Sequence, residues 1–322
     1  MKAIVQDAYG SADVLRLREV ERPVPRDREV LVEVRAAGVD RGVWHLMTGR
    51  PHVARAVFGL RRPRNPVRGW EGAGRVAAVG SAVTGFEPGD EVFGMCEGSF
   101  AEYTRARVDR LAPKPANLSF EQAAALPVSG VTALQALSGR ARPRQGQKVL
   151  VIGASGGVGS FAVQLAVLYG AEVTGVCGPT GLDFVRSLGA SHVIDHTRAE
   201  ITDGPDRFDV VVDNAGLRPL PVLRRALAPR GTLVVVGGEG GGALFGGMGR
   251  ELRAVMLSPF VGQHLRNLVA LPRRADLVAL AELAGRGSVV PAVDRAYPLA
   301  EAAAAVRHLE EGHPHGKIVL TV

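Results

Sequence analysis

A glycine-rich turn that joins an apolar strand to a helix constrains this chain more than any other stretch. The segment Lys148–Val176 reads KVLVIGASGGVGSFAVQLAVLYGAEVTGV, with an apolar run up to Ile152, a glycine cluster, and helical periodicity as far as Gly170. A second strand at Glu172–Val176 completes a βαβ unit, in which the glycines permit a tight turn and the amides at the helix start face a pyrophosphate. This context predicts a dinucleotide-binding domain rather than a purely structural turn.

Two other nucleotide-binding patterns match less well. A phosphate-binding loop of the NTPase kind needs Gly-Lys-Ser/Thr after its glycines, whereas the one Gly-Lys pair here, Gly316-Lys317, precedes Ile318. Short-chain dehydrogenases use a Tyr-x-x-x-Lys pair, and none of the four tyrosines has a lysine at that spacing. The turn is therefore assigned to neither family.

The composition is that of a soluble globular protein large enough for two domains. The chain has 322 residues, of which 46% are apolar and 22% charged. Its net charge of +7 comes almost wholly from scattered arginines, so a nucleic-acid partner is not expected. The densest arginine group is interpreted as a solvated loop, and the alternative is that it attracts an anionic substrate or the cofactor phosphate. This group consists of Arg61, Arg62, Arg64 and Arg68.

Cysteine usage and hydropathy indicate a cytoplasmic protein. Cys96 and Cys177 are far apart in sequence and form no metal-type or redox-type pair. The N-terminus lacks the apolar core of a signal peptide, and no stretch approaches the roughly 20 apolar residues that span a bilayer. We therefore expect neither a disulfide framework nor a membrane anchor.

Element patterns divide the chain into three segments. Residues 1–120 are β-rich with frequent turns, residues 121–262 alternate between strand and helix, and residues 263–322 have no place in the nucleotide sheet. The last segment is predicted to close the first domain, with the nucleotide-binding domain inserted between the two parts. Its predicted elements are a helix at Ala275–Gly285, a strand near Val289–Ala292, a helix at Leu299–Glu311 and a strand at Lys317–Val322.

Several short motifs along nearly the whole chain resemble the medium-chain dehydrogenase/reductase superfamily, in its zinc-independent quinone oxidoreductase-like branch. They are Ala36–Asp40, Gly69–Gly74, Gly85–Val92, Gly98–Tyr103, Gly156–Gly159, Arg186–Ala190, Val193–Asp195, Gly312-His313 and Gly316-Lys317. The resemblance implies an α/β fold in which a Rossmann-type doubly wound parallel sheet is inserted into a GroES-like β-barrel catalytic domain. It also implies an active site in the cleft between the two domains, and a homodimer.

The chain departs from the zinc-dependent members of the family at the metal-ligand positions. Asp40, Trp70 and Ser129 stand where those members have a cysteine, a histidine and a further cysteine or acidic ligand, and Asp40 alone could bind zinc. The cysteine-rich lobe that carries structural zinc is also missing. We therefore predict no metal site, and interpret the four histidines that could suggest one as solvated or helix-terminal. These are His45, His52, His313 and His315.

Loss of zinc restricts the chemistry. Without a Lewis acid to stabilise an alkoxide, the hydride acceptor should already be electrophilic, which favours quinones and α,β-unsaturated carbonyls. One alternative is a tailoring enoyl reductase acting on a polyketide-like natural-product intermediate. Another is a non-catalytic NADPH-binding protein with a structural or nucleic-acid-binding role.

The resemblance also implies residue roles. Asp40, Trp44 and Trp70 are candidates for the substrate pocket; Asp40 could relay a proton or be structural, and Trp70 could stack on a flat substrate or simply pack. Phe260 and Val261 have ordinary core packing as their alternative. The cofactor candidates are Ser129, Thr132, Ser155, Gly156, Gly157, Val158, Cys177, Gly178, Thr180, His196, Asn214, Gly237, Phe260, Val261 and Lys317.

Cofactor choice depends on the residues after the second strand of the βαβ unit. NAD enzymes place an acid there to bind the ribose hydroxyls, but this chain has Cys177–Gly181, which contains none. NADP(H) is therefore favoured over NAD(H). The basic partners common in relatives are absent from this stretch, which leaves His196 and Arg186 as candidates for the 2′-phosphate.

Overall fold

The computed structural model describes residues 1–205, 207–238, 242–311 and 314–322. The predicted motif Gly312-His313 and part of the glycine stretch after Gly238 lie outside the described residues. Two compact units are present. The first comprises Met1–Val131 with Pro272–Val322, and the second comprises Thr132–Leu271. Both junctions come later in the chain than the boundaries predicted at residues 120 and 262.

The strands and helices are as follows in chain order. The strands are β1 (Lys2–Val5), β2 (Arg16–Glu19), β3 (Glu29–Val39), β4 (Glu71–Val79), β5 (Glu91–Met95), β6 (Tyr103–Arg107), β7 (Leu111–Pro113), β8 (Lys148–Ile152), β9 (Glu172–Cys177), β10 (His192–Asp195), β11 (Phe208–Asp213), β12 (Leu227–Val235), β13 (His264–Asn267), β14 (Val293–Pro298) and β15 (Lys317–Thr321). The helices are α1 (Arg41–Thr48), α2 (Arg55–Phe58), α3 (Phe120–Ala124), α4 (Pro127–Ala136), α5 (Gly157–Leu168), α6 (Leu182–Ser187), α7 (Leu220–Ala226), α8 (Met248–Leu257), α9 (Arg274–Gly285) and α10 (Ala302–Glu311).

The first unit is built on a seven-stranded sheet in the order β14-β15-β3-β4-β5-β7, with β6 also paired to β3. The pairs are antiparallel except for β14 with β15. β15 pairs directly with β3, with Ile318 opposite Val39. The late part of the chain therefore completes the first unit, as the sequence predicted. A buried apolar core that includes Val34, Phe100 and Val306 fills this unit.

The second unit contains a six-stranded parallel sheet in the order β10-β9-β8-β11-β12-β13. With β8 as strand 1, this is the 3-2-1-4-5-6 order of the Rossmann fold. The central strand β8 is buried at every position from Val149 to Ile152, because helices cover both faces of a parallel sheet. This burial explains the uninterrupted apolar run in the sequence. The α/β fold with a GroES-like first unit and a Rossmann-type second unit is confirmed.

One predicted strand is wrong. The segment Val289–Ala292 is not a strand, and β14 begins only at Val293. The amides of Ser288 and Val289 both donate to the carbonyl of Leu283, which closes the end of α9. Val289 is buried at this helix end, which explains the apolar residues that were interpreted as a strand. In the part of the chain that the structure describes, no helix is both long and apolar enough to cross a membrane.

Candidate active site

The glycine turn of the second unit follows β8 at the carboxyl edge of the sheet. Gly153 has φ 76°, a left-handed conformation that favours glycine. Its amide and that of Ala154 both donate to the carbonyl of Val176 at 2.9 Å, which fixes the turn against β9. Gly159 lies directly over the turn, since a Cβ on it would be 2.7 Å from the Cα of Ala154 and closer still to the carbonyl oxygen of Gly153.

Helix α5 begins at this turn with its first amides uncapped. Gly156 is the N-cap residue and supplies no side-chain hydrogen bond, so the first helical amides have no intrahelical acceptor. A Cβ on Gly156 would contact only the Gly153 oxygen, at 3.6 Å. Space in front of the turn and uncapped amides together fit a pyrophosphate. Ser155, Gly157 and Val158 are half-buried in the same turn.

The ends of β9 and β10 lie beside this turn. Cys177 is opposite Asp195 in the strand register, and the amide of His196 donates to the carbonyl of Cys177 at 3.1 Å. Gly178 is close to the His196 ring, because an added Cβ would lie 3.6 Å from Nε2. Thr180 is exposed in the helical turn after Gly178. Of the residues predicted to contact the cofactor here, Cys177, Gly178 and His196 are thus brought together.

The acids and bases at this edge have defined partners. Hydrogen bonds from the backbone amide and side chain of Thr197 hold the pKa of Asp195 below its usual range. Arg186 Nη1 donates to Asp183 at 2.8 Å on the exposed face of α6. Burial raises the pKa of the Cys177 thiol, so this cysteine is a packed neutral group rather than a nucleophile.

The next two strand ends carry Asn214 and Gly237. The register places Asp213 opposite both Ile152 and Val235, so these residues share the carboxyl edge. Asn214 Nδ2 donates to the carbonyl of Ile152 at 3.2 Å, while its Oδ1 is buried without a hydrogen-bond partner. That oxygen is an acceptor available to a ligand.

Arg250 of α8 ties these two strand ends together, a role that sequence reasoning missed. Its Nη1 pairs with the buried Asp213 carboxylate, and its Nη2 donates to the carbonyl of Gly237 at 2.6 Å. Asp213 also accepts from the amide of Gly216 at 3.2 Å. An acid at the end of a buried strand was the signal that a cation must be near, but the sequence does not show which arginine supplies it.

Phe260 and Val261 do not lie at this edge. They precede β13, and Gly262 next to them approaches the carbonyl of Pro229 at the amino end of β12. The predicted cofactor role of both residues therefore needs correction, because they lie at the amino edge of the sheet, opposite the cofactor edge. There Phe260 is 85% exposed and Val261 packs on the core. β13 is short and polar, so it has no apolar run that marks it in the sequence. The residues expected after this strand were therefore assigned too early in the chain. Leu268 follows β13 at the carboxyl edge, and its amide donates to Val235.

In the first unit, Asp40 and Trp70 form a hydrogen-bonded pair. Asp40 is buried at the N-cap of α1, where Oδ1 accepts from the amide of Val43 at 2.9 Å and Oδ2 accepts from Trp70 Nε1 at 2.7 Å. Gly42 allows this, because a Cβ on it would collide with the Trp70 ring. Trp44, on the same helix, is half-buried and its Nε1 has no partner among the described residues.

Glu71, the residue after Trp70, belongs to a buried ion pair. Lys317 Nζ donates to Glu71 Oε1 at 2.6 Å, and the side chains are 2% and 0% exposed. Glu71 Oε2 accepts from the amide of Val128 at 2.7 Å. Burial raises the pKa of Glu71 to about 7, against the opposing effect of Lys317. Lys317 is thus paired inside the first unit. Two other predicted cofactor residues, Ser129 and Thr132, are buried on α4.

Comparison with known proteins decides the family. The chloroplast envelope quinone oxidoreductase homolog of Arabidopsis thaliana is 32% identical over 99% of this chain and 98% of its own length. The chain belongs to the medium-chain dehydrogenase/reductase superfamily. Within this superfamily it falls in the quinone oxidoreductase-like branch, so the protein is an oxidoreductase.

Further matches agree with this superfamily assignment. Residues 26–116 match the profile described as alcohol dehydrogenase GroES-like domain, and residues 188–320 match that described as zinc-binding dehydrogenase. The NADPH-dependent alkenal/one oxidoreductase of Arabidopsis thaliana is 33% identical over 99% of this chain and 79% of its own length. The quinone oxidoreductase structure from Coxiella burnetii superposes with a TM-score of 0.88 at 28% identity, covering 100% and 99% of the two chains.

One of the matching family descriptions names zinc, but the side chains at the zinc-ligand positions of this chain do not fit that metal. Trp70 offers no ligand atom, and both oxygens of Asp40 already accept hydrogen bonds. Among the described residues, no group of three or more His, Cys, Asp or Glu is arranged to hold a metal. His45 lies in the last turn of α1 with Nδ1 2.8 Å from the carbonyl of Arg50, as expected for a helix-terminal histidine; His313 lies outside the described residues.

The arginine group near residue 65 requires one correction. Arg61, Arg62 and Arg64 are exposed, as a solvated loop predicts, but Arg68 is 4% exposed. Its amide donates to the carbonyl of Ile4, and the amide of Phe100 donates to its carbonyl, so the backbone of Arg68 is part of the fold. These contacts draw the residue inward and leave the other three outside.

Proposed function

We propose that the protein is an NADPH-dependent, metal-free reductase that transfers a hydride to a quinone or an α,β-unsaturated carbonyl compound. One observation carries the metal-free part of this proposal: Trp70 stands at one zinc-ligand position, and its indole nitrogen donates to the carboxylate of Asp40, which stands at another. The similarity to a quinone oxidoreductase homolog and to an NADPH-dependent alkenal/one oxidoreductase supports the substrate class.

The second unit would hold the cofactor through its carboxyl edge. The uncapped amides of Gly157 and Val158 would bind the pyrophosphate, and Asn214 Oδ1 would accept a hydrogen bond from the cofactor. When bound, NADPH supplies a hydride from C4 of its reduced nicotinamide. The Arg250–Asp213 pair would keep the Asn214 and Gly237 loops in one arrangement, which reduces the entropy lost on binding.

The first unit would supply a preformed surface for the substrate. Because both Asp40 oxygens accept hydrogen bonds, we assign Asp40 a positioning role: it fixes the Trp70 ring and starts α1. The ring of Trp70 would then pack against a flat acceptor. An acceptor whose carbonyl already delocalises the incoming charge does not require a metal.

Turnover tests this proposal directly. NADPH oxidation is followed at the nicotinamide absorbance with a panel of quinones and enones, and the purified protein is analysed for zinc. We expect turnover without stoichiometric metal. Tight NADPH binding with no turnover on any acceptor would support the non-catalytic alternative, and activity lost on chelation and restored by zinc would refute the metal-free assignment.

A carboxylate placed after β9 should shift the cofactor preference from NADPH towards NADH. Gly178 has φ −78° and an added Cβ would make an ordinary contact with His196, so Gly178→Asp is sterically tolerated. The new charge would repel the 2′-phosphate of NADPH but accept from the ribose hydroxyls of NADH. We expect the NADPH to NADH ratio of kcat/KM to fall about tenfold or more, an effect of roughly 1.4 kcal/mol.

The neutral isostere Gly178→Asn controls for the added volume. It adds a side chain of similar size without a charge, so it should leave the ratio within about threefold of the wild-type value. That change is well below the roughly tenfold, about 1.4 kcal/mol, expected for the charged variant. Equal ratios for the aspartate and asparagine variants would mean that Gly178 does not contact the 2′-phosphate.

A further inference from the structure

A cavity of about 230 Å³ lies in the first unit, and Trp70 is one of its lining residues. Much of its wall is apolar, including Leu46, Val57 and Phe58. Its charged lining residues are Arg64, Arg68 and Glu97. A small pocket with apolar walls and few charged groups is typical of a site that orients a small ligand through one polar end.

Arg68 is the unusual member of this lining. It is 4% exposed, yet just one of its five N–H donors has a protein acceptor among the described residues, an Nη2–H bonded to the carbonyl of Asn65. Its Nε is buried without a partner. No carboxylate of the described residues forms an ion pair with it. Burial lowers the pKa of Arg68 to about 10, so the guanidinium stays charged at neutral pH.

The neighbouring groups do not neutralise this charge. Glu97 is bound by Arg105, with Nη2 2.9 Å from Oε2. The Tyr9 hydroxyl donates to the carbonyl of Gly59 at 2.6 Å. Arg64 adds a second positive charge to the lining. A buried cation without a counterion destabilises a fold, and a ligand anion would remove that cost.

We propose that Arg68 binds the carboxylate of the substrate, so that the protein reduces small quinones or enones that carry an acidic group. This inference rests on the proposed function for the reaction and on the cavity for the specificity. The planar guanidinium matches a carboxylate with two parallel hydrogen bonds. The apolar wall and Trp70 take the flat conjugated body of the same molecule, so Arg68 selects the substrate while Trp70 orients it.

Equilibrium binding tests the site without any turnover. Benzoate and benzamide, which differ in charge and little in shape, are titrated into the full-length protein. We expect the wild type to bind benzoate about tenfold or more tightly, as a charge-assisted hydrogen-bonded pair implies. Arg68→Met should abolish the preference and Arg68→Lys should retain part of it. Arg61→Gln, an equal charge loss in the exposed part of the same segment, should leave it unchanged.

A wild-type protein that binds the two probes equally, or an Arg68→Met variant that keeps the preference, would overturn the inference. So would loss of the preference in Arg61→Gln, because the cause would then be general surface charge. If Arg68→Met does not fold, Arg68→Lys still tests the site, because an unchanged full preference in that variant would also count against a paired, planar contact from Arg68.

The kinetic arm separates this inference from the proposed function. The kcat/KM values for 4-oxopent-2-enoate and 4-oxopent-2-enamide are compared, and Arg68→Met should lower the first about tenfold relative to the second. Turnover of both with an unchanged ratio in the variant would refute the role of Arg68 alone. Arg68-dependent benzoate binding with no turnover on any acceptor would refute the reductase and leave the carboxylate site standing.

Discussion

Gly159→Ala is expected to destabilise the second unit and to abolish measurable NADPH binding. The new Cβ would lie 2.7 Å from the Cα of Ala154 and 2.8 Å from the carbonyl carbon of Gly153, and closer still to its oxygen. These are backbone atoms, and the turn that holds them is anchored to Val176 by two hydrogen bonds. The clash therefore cannot be relieved by a side-chain rotation and must displace the turn.

Two opposing contributions decide whether Gly159→Ala raises or lowers the free energy of unfolding. Alanine in place of glycine inside a helix normally stabilises by about 1 kcal/mol. Overpacking against well-fixed atoms costs roughly 1–3 kcal/mol or more, and here the displaced group is the turn whose amides would bind the pyrophosphate. We expect a net loss of about 2 kcal/mol in the free energy of unfolding, with loss of NADPH binding by titration of nicotinamide fluorescence.

Two glycines serve as matched controls. Gly249 in α8 has open space around its added Cβ, so Gly249→Ala should be neutral or slightly stabilising. Gly156→Ala makes only an ordinary contact and should fold normally while NADPH affinity falls, since its methyl group would occupy the space in front of the turn. Equal stability and NADPH affinity for Gly159→Ala and Gly249→Ala would contradict the expected clash.

How much of this arrangement the sequence could predict depends on the range of the interactions. The βαβ unit was predicted closely: strands expected at Val149–Ile152 and Glu172–Val176 are β8 and β9, each one residue longer. Parallel strands buried on both faces produce continuous apolar runs that any reader can recognise. Edge strand β13, with the sequence His-Leu-Arg-Asn, has no such run and was missed.

Side-chain partners across long sequence separations were the least predictable part. Glu71 and Lys317 are 246 residues apart, and Asp213 and Arg250 are 37 apart. Neither pair has a local signature: Glu71 and Lys317 lie on different strands of the first sheet, and Asp213 and Arg250 lie on a strand and a helix that meet only in the folded unit. Asp40 shows the opposite case: its N-cap role at α1 is local, and the alternative of a structural carboxylate was stated from the turn alone.

Lys317→Met is expected to destabilise the first unit by roughly 3–5 kcal/mol near pH 8, the cost of leaving a buried charge without its partner. The remaining group is Glu71, 0% exposed and bonded to the amide of Val128. Both tryptophans, Trp44 and Trp70, lie in the first unit. Urea unfolding followed by tryptophan fluorescence therefore reports on this unit.

The pH dependence distinguishes loss of an ion pair from loss of packing. In the wild type the folded pKa of Glu71 is about 7, above its ordinary value of 4.5. The folded state thus retains a proton that the unfolded state has released, and this group lowers stability as pH rises through that window, with no further change above it. Without Lys317 the folded pKa rises further, so the variant should lose about 1.4 kcal/mol more for each unit above pH 7.

The double variant Glu71→Gln with Lys317→Met isolates the charge. It removes both ionisable groups, while the glutamine oxygen can still accept from the amide of Val128. Replacement of a buried ion pair by neutral residues is often nearly neutral, so we expect most of the lost stability to return and the extra slope above pH 7 to vanish. If Lys317→Met instead runs parallel to the wild type between pH 7 and 9, Glu71 is not the group left uncompensated, and the pair contributes through packing alone.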